Sequence, residues 1–130
     1  MKIINLLAVV AIMSSLWACR AGAPIYDVSG ANVTAAAGKS VEADQVKLAI
    51  IRAGGKLGWK IDETTSGQLQ GMLMLRAHTA IIDIMYDENT YSIKYNSSTN
   101  LEHSKGTIHK NYNGRIQNLQ KEIDVELGNL

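Results

Sequence analysis

The chain has 130 residues, with 13 Lys and Arg against 12 Asp and Glu, and a single cysteine, Cys19. This length suits one domain. One cysteine excludes an intramolecular disulfide, and the near-zero net charge excludes the basic surface typical of nucleic-acid-binding proteins. The fold must therefore be held by its apolar core, and no nucleic-acid partner is predicted.

The first 18 residues are built like a bacterial secretion signal. Lys2 supplies a positive charge, residues 3–13 form an almost unbroken apolar run, and the segment Leu-Trp-Ala-Cys covers residues 16–19. This segment resembles the lipobox of bacterial lipoproteins. The resemblance implies that residues 1–18 are a cleaved signal peptide and that Cys19 carries the acyl chains, palmitate among them, that hold the protein on a membrane.

Two other interpretations of this segment are less well supported. A transmembrane helix needs roughly 18 or more consecutive apolar residues, whereas this run meets Ser14 and Ser15 too early. An ordinary secretory signal would leave Cys19 as a free thiol in an oxidising compartment. Arg20, by resemblance to enterobacterial sorting, favours the outer membrane with the domain facing the periplasm. The inner membrane and the cell surface are alternatives.

Residues 19–39 differ in composition from the rest of the chain. They are rich in Ala and Gly, contain the only proline, Pro24, and show little apolar periodicity. We predict that they form a flexible tether between the lipid and a single domain at residues 40–130. The alternative is a short edge strand built from the sizeable apolar residues Ile25, Tyr26, Val28 and Val33.

A helix is predicted over residues 40–54. Ser40 is a good N-cap, and Glu42 and Asp44 place carboxylates at the positive end of the helix dipole. Gly54 and Gly55 are expected to end the helix. Its apolar residues recur at helical spacing and predict one broad buried face: Ala43, Val46, Ile50 and Ala53.

An antiparallel meander of about four strands is predicted next, over residues 58–63, 68–76, 79–86 and 91–96, because apolar and polar residues alternate there. One register of the last hairpin aligns an apolar row and a charge pair. It places Tyr86 opposite Tyr91, Ile84 opposite Ile93, Ile82 opposite Tyr95, and Asp83 opposite Lys94.

A C-terminal helix is predicted over residues 107–127, with Thr107 as its cap. Apolar residues recur there every three or four positions, although Gly114 costs about 1 kcal/mol relative to Ala. The order of elements predicts an α+β fold: a two-layer sandwich with both helices on the same sheet face.

Four segments carry a further resemblance. They are Gly58-Trp59, residues 76–84 (RAHTAIIDI), residues 91–101 (YSIKYNSSTNL) and residues 108–113 (IHKNYN). Together they resemble a group of small uncharacterised lipoproteins of Gram-negative bacteria, over about residues 40–127. Many members have Trp near the position of Gly114, where this sequence departs from the pattern. The resemblance implies a fold and a location but no activity.

No catalytic site is predicted. The only cysteine is committed to lipid, and Ser97-Ser98 has no nucleophile signature around it. His103 and His109, six residues apart, match no zinc-binding spacing. We therefore expect no enzyme activity, no metal and no cofactor.

Two classes of function follow. The first is an adaptor that docks onto an envelope protein or peptidoglycan through the open sheet face; the alternative for these residues is a merely solvated face. The residues predicted on this face are Met72, Met74, Arg76, His78, Asp83, Met85 and Lys94.

The second class is small-ligand binding, or weak catalysis, in a cleft near the C-terminal helix. The residues predicted to line it are Tyr95, Asn100, His103 and His109. The alternative is that this Ser-, Thr- and Asn-rich segment only forms turns.

Overall fold

The computed structural model describes residues 22–101, 103 and 106–130. Its strands are β1 (Ala23–Pro24), β2 (Val28–Asn32), β3 (Lys60–Thr65), β4 (Gln68–Leu75), β5 (His78–Tyr86), β6 (Thr90–Thr99) and β7 (Thr107–Ile108). Its helices are α1 (Ala43–Lys56) and α2 (Lys110–Gly128), and a short 3-10 turn covers Ala36–Gly38. A five-stranded antiparallel sheet has the order β2-β6-β5-β4-β3, and β1 pairs separately with β7.

The predicted α+β architecture is confirmed, with both helices against one face of the sheet. Alternate residues of the strands and the apolar stripes of the helices form a single buried cluster. Its largest fully buried side chains include Ile50, Leu69, Ile82, Ile84, Tyr91, Ile93, Ile116, Leu119, Ile123 and Leu127. Because both helices cover the same face, the opposite face of the sheet has no second layer among the described residues.

The predicted register of the β5–β6 hairpin is confirmed at all four pairs. Tyr86 lies opposite Tyr91, Ile84 opposite Ile93, Ile82 opposite Tyr95, and Asp83 opposite Lys94. Beyond these pairs β6 contains a bulge, because Ile82 pairs with Tyr95 whereas Ile81 pairs with Ser97. One residue, Asn96, is therefore inserted in β6.

The start of α1 differs from the prediction. Ser40 is not the N-cap: the helix begins at Ala43 and is capped by Glu42. Gln45 Oε1 accepts a hydrogen bond from the Glu42 backbone N–H at 2.9 Å, while the Glu42 side chain accepts from the Gln45 backbone N–H. This reciprocal capping box satisfies two backbone donors, which one serine cap cannot do.

The end of α1 also differs, because the helix runs through Gly54 and Gly55 to Lys56. Gly54 is a packing residue: a Cβ there would lie 2.2 Å from Ile61 Cδ1. The chain turns only at Gly58, whose φ of +86° suits glycine.

The segment predicted as a flexible tether is in part folded. Residues 28–32 form the edge strand β2, which pairs with β6, and Val28 is buried. Tyr26 Oη donates to Gln120 Oε1 at 2.6 Å, and the Tyr26 backbone N–H donates to Asn113 Oδ1 at 2.9 Å. This segment is held mainly by backbone pairing and polar contacts, which need few apolar side chains. Its composition therefore predicted a tether. The edge-strand alternative is the one observed.

The C-terminal helix begins later than predicted. Thr107 and Ile108 pair with β1, so His109, not Thr107, is the N-cap of α2. Gly114 lies inside α2, and a Cβ there would meet nothing within 4 Å. It is therefore not a close-packing position.

A cluster of ion pairs joins the two helices. Glu126, only 7% exposed, accepts hydrogen bonds from Lys56 Nζ and, at 3.3 Å, from Arg52 Nε. The hydrogen bond from Lys56 holds the pKa of Glu126 below its usual value, with Arg52 contributing.

No helix among the described residues is both long enough and apolar enough to cross a bilayer.

Candidate functional site

A cleft of about 480 Å³ lies between the end of the β4–β5 hairpin and the start of α2. Its volume is within the range of small-molecule sites in proteins. The cleft is lined by Leu73, Leu75, Arg76, His78, Ala80, Leu101, His109, Asn111, Tyr112 and Arg115. It thus has an apolar floor and a rim of basic and imidazole side chains.

The hairpin loop places Arg76 at the cleft. Leu75 pairs with His78, so Arg76 and Ala77 form a two-residue loop, and Arg76 has a φ of +53°. The side-chain amide of Asn100 donates a hydrogen bond to the Ala77 carbonyl oxygen at 2.6 Å. Asn100 therefore fixes the loop whose first residue is Arg76.

Arg76 and His78 are not on the open sheet face, where the sequence had placed them. The sequence prediction assigns both residues to the face of Met72 and Met74, with the chain reversing between the predicted strands 68–76 and 79–86. In the structure the chain reverses at Arg76 and Ala77. His78 therefore lies on the same side of the sheet as its cross-strand partner Leu75 and as Ala80. This correction moves two basic or imidazole groups from the open face to the cleft.

The hydrogen bond of His78 defines its tautomer. Its Nδ1 lies 2.7 Å from the Asn100 carbonyl oxygen, and a carbonyl can only accept. Nδ1 therefore carries a proton, and Nε2 is not engaged in this contact.

His109 has the opposite tautomer. As N-cap of α2, its Nδ1 accepts a hydrogen bond from the Asn111 backbone N–H at 3.2 Å. The ring proton of the neutral imidazole must then sit on Nε2. His109 thus serves as a helix cap through one ring nitrogen and offers an N–H donor through the other.

The charge around the cleft is one-sided. Arg76 and Arg115 line it, no described acidic side chain does, and the first turn of α2 contains no Asp or Glu. Within the described residues neither arginine forms a salt bridge. The N-terminal end of α2 adds the positive end of its dipole. Glu102, which follows Leu101 in the sequence, lies outside the described residues.

Tyr112 forms part of the cleft wall. Its side chain is 2% exposed, and its hydroxyl is buried without a hydrogen-bond partner among the described residues. Burial, with smaller contributions from Asp27 and Tyr95, raises the pKa of Tyr112 well above its usual value. The phenol therefore stays neutral at physiological pH.

The four residues predicted to form a cleft are only partly brought together. His109 lines the observed cleft, and Asn100 supports its hairpin loop. The rings of Tyr95 and His103 stack with centroids 4.6 Å apart, and Tyr95 meets Tyr112 edge to face at 5.6 Å. Tyr95 and His103 therefore form an aromatic group next to Tyr112. Tyr112 and Arg115 were not predicted as cleft residues. The available signal was their spacing, since Tyr112 lies three residues after His109 and Arg115 lies three residues after Tyr112.

The other predicted face residues lie on the open side of the sheet. Met74 is 70% exposed and Met85 is 39% exposed. Ile81, which the prediction omitted, lies opposite Met72 on the same face. Asp83 accepts a hydrogen bond from Asn96 Nδ2 at 3.0 Å, and Lys94 Nζ donates to Ser29 Oγ. Asp83 and Lys94 thus each have a hydrogen-bond partner, Met74 and Met85 are exposed, and Met72 is half-buried.

No group of three or more His, Cys, Asp or Glu side chains in the described part of the chain is arranged to hold a metal ion. Cys19, the predicted lipid attachment site, lies outside the described residues. Comparisons of the chain with protein-family models, with curated proteins and with solved structures find no match.

Proposed function

We propose that this chain is an outer-membrane lipoprotein, anchored through Cys19, whose periplasmic domain binds a small molecule without catalysis. The observation that carries the binding proposal is the cleft, which combines an apolar floor with two arginines and two imidazoles. Such convergence of a few polar groups on an apolar hollow is typical of ligand sites. The anchor rests on the signal and lipobox pattern of residues 1–19.

Blocking the cleft tests the binding proposal. Leu75 is 37% exposed and lines the cleft, whereas its neighbour Met74 points to the opposite face of the same strand. Leu75→Trp fills the cleft at the sheet periphery, and Met74→Trp is the matched control. We expect native mass spectrometry, after incubation with a small-molecule extract of bacterial envelopes, to detect ligand on wild type and Met74→Trp but not on Leu75→Trp. Equal binding by all three proteins would contradict the proposal.

The anchor has its own test. Cys19→Ala is expected to block lipid attachment, so that the protein accumulates as an uncleaved precursor or appears in the soluble fraction. Normal maturation and membrane fractionation of this variant would show that the lipoprotein proposal is wrong.

The exposure of Met74 and Met85 favours a second candidate, an adaptor that docks on an envelope protein or peptidoglycan through the open face. Met74→Asp is the sharper variant for it. Asp83→Lys would place two lysines in one cross-strand pair and remove the bond to Asn96, which disturbs the fold. If the adaptor proposal holds, a pull-down from solubilised envelopes captures one partner with wild type and none with Met74→Asp.

A further inference from the structure

We propose that the cleft binds an anionic amphiphile: a carboxylate or a phosphate monoester carried on a short apolar chain. This inference rests on the proposed binding function and names the class of ligand. Three features of the cleft support it: two arginines without a carboxylate partner among the described residues, the N–H donor of His109 and the leucine-rich floor.

The acid group is recognised by the rim. Arginine guanidinium groups suit carboxylate and phosphate oxygens because they present paired N–H donors. Arg76 and Arg115 line the same cleft from two different elements, the hairpin loop and α2. The Nε2–H of His109 adds a neutral donor, since its Nδ1 is engaged by the helix cap. An anion there also meets the positive end of the α2 dipole.

The apolar chain is recognised by the floor. Leu73, Ala80 and the ring of Tyr112 are buried, whereas Leu75 remains 37% exposed. A short aliphatic chain would cover the exposed part of Leu75 and contact Leu101, which lines the same cleft. Apolar area removed from water favours binding by roughly 25 cal/mol per Å². A free inorganic anion would leave this surface wet.

The described residues that come next after the proposed anchor in the sequence lie beside the start of α2. β1 begins at Ala23, which pairs with Ile108, and His109 is the next residue. Cys19 precedes Ala23 by four residues in the sequence, a span of about 14 Å at most when extended. A lipid on Cys19 would thus hold this end of the domain near the bilayer, where anionic lipids and free amphiphiles are both available.

Amide NMR titration tests the inference. The protein is the chain from residue 19 onward carrying Cys19→Ser, which contains every residue that the structure describes. The probes share one chain length: octanoate and octyl phosphate as anions, octanol and octylammonium as neutral and cationic controls. We expect the anions to shift the amides of Leu101, His109 and Asn111 and to bind at least about ten-fold more tightly than octanol, as a charged hydrogen bond supplies.

Three variants locate the head group. Arg76→Gln and Arg115→Gln should each weaken octanoate binding about ten-fold. His109→Asn keeps a good N-cap residue but loses the Nε2–H donor, so it should weaken binding while leaving the fold intact. Lys94→Gln, on the open face, is the matched control and should bind octanoate like wild type.

The outcomes separate the two proposals. Equal affinity for octanol and octanoate would overturn the anion inference and leave a binding cleft. Absence of any shift at the cleft amides with all four probes would overturn both. Vesicles distinguish the source: if phosphatidylcholine vesicles that contain phosphatidic acid, a phosphate monoester, perturb the same amides, pure phosphatidylcholine vesicles do not, and Arg115→Gln abolishes the effect, the ligand is a bilayer lipid. Anion binding confined to the soluble probes assigns a free amphiphile.

Discussion

Charged side chains lie near both ends of α2, but only those near the C-terminal end are paired with opposite charges among the described residues. Near the C-terminal end, the carboxylate of Glu126 is neutralised by Lys56 and Arg52 from α1. Near the N-terminal end, Arg115 and the neighbouring Arg76 have no carboxylate partner among the described residues. Charge that is matched inside the fold serves stability, whereas charge left unmatched at a cleft is available to a ligand.

The largest expected effect is at the matched end. Glu126→Gln removes the carboxylate that Lys56 and Arg52 share and leaves Lys56 with Glu122 alone, so the free energy of unfolding should fall clearly. Urea unfolding at pH 7 measures it. Lys94→Gln is the control. The hydrogen-bond partner of Lys94 is the neutral side chain of Ser29, so this variant should change stability much less. If Glu126→Gln were as stable as wild type, the paired charges near the C-terminal end of α2 would not stabilise the fold, which would contradict the prediction.

The contribution of Glu126 to stability should depend on pH. The pKa of Glu126 is lowered in the folded protein from an ordinary value of 4.5, chiefly by the Lys56 hydrogen bond. Its stabilising contribution is therefore complete above that value and is lost as pH falls through the lower folded pKa. We expect the stability difference between wild type and Glu126→Gln to shrink on acidification below it. A constant difference down to pH 3 would contradict the assignment.

Removing the hydroxyl group from each of two buried tyrosines should have different effects on stability. Tyr91 Oη donates to Asp124 Oδ1 at 2.6 Å, whereas the Tyr112 hydroxyl at the cleft end has no partner among the described residues. Tyr91→Phe should lower the free energy of unfolding by about 1 kcal/mol, because a hydrogen bond is lost. Tyr112→Phe should keep or raise it by up to about 1 kcal/mol, because an unpaired buried hydroxyl is removed. Equal losses in both variants would contradict the contrast.

Gly114 in α2 should respond to substitution by alanine differently from Gly54 in α1. Gly114→Ala is expected to raise the free energy of unfolding by about 0.5–1 kcal/mol, since alanine favours helix and its Cβ meets nothing. Gly54→Ala should lower it, because its Cβ would overlap Ile61. Thermal unfolding of both variants measures whether the free energy of unfolding rises or falls. A lower stability of Gly114→Ala would contradict the prediction.

The parts of the fold that follow side-chain alternation were predictable from the sequence. The four cross-strand pairs of the β5–β6 hairpin were correct because one apolar row and one charge pair agree on a single register. The edge strand β2 was harder to predict, because of its five residues only Val28 is buried and backbone hydrogen bonds hold the rest.

The cleft was only partly predictable, for a local reason. The β4–β5 loop uses Arg76 in a left-handed conformation without a Gly, Asn or Asp to mark it. The reversal was therefore placed near His78, and two residues were assigned to the wrong face. Similarly, Thr107 is the better cap by residue type, but pairing of Thr107 and Ile108 with β1 delays α2 until His109. Tertiary contacts decide both positions.

We propose that the cleft at the N-terminal end of α2 stays positively charged because an acidic ligand binds there. The most direct measurement is the free energy of unfolding of wild type and Arg115→Gln, each with and without octanoate. Without octanoate, the variant should equal wild type to within about 0.5 kcal/mol, because Arg115 is exposed and forms no salt bridge among the described residues. With octanoate, wild type should become the more stable protein, because only it binds the anion tightly. Wild type more stable by the same amount in both conditions would contradict the account.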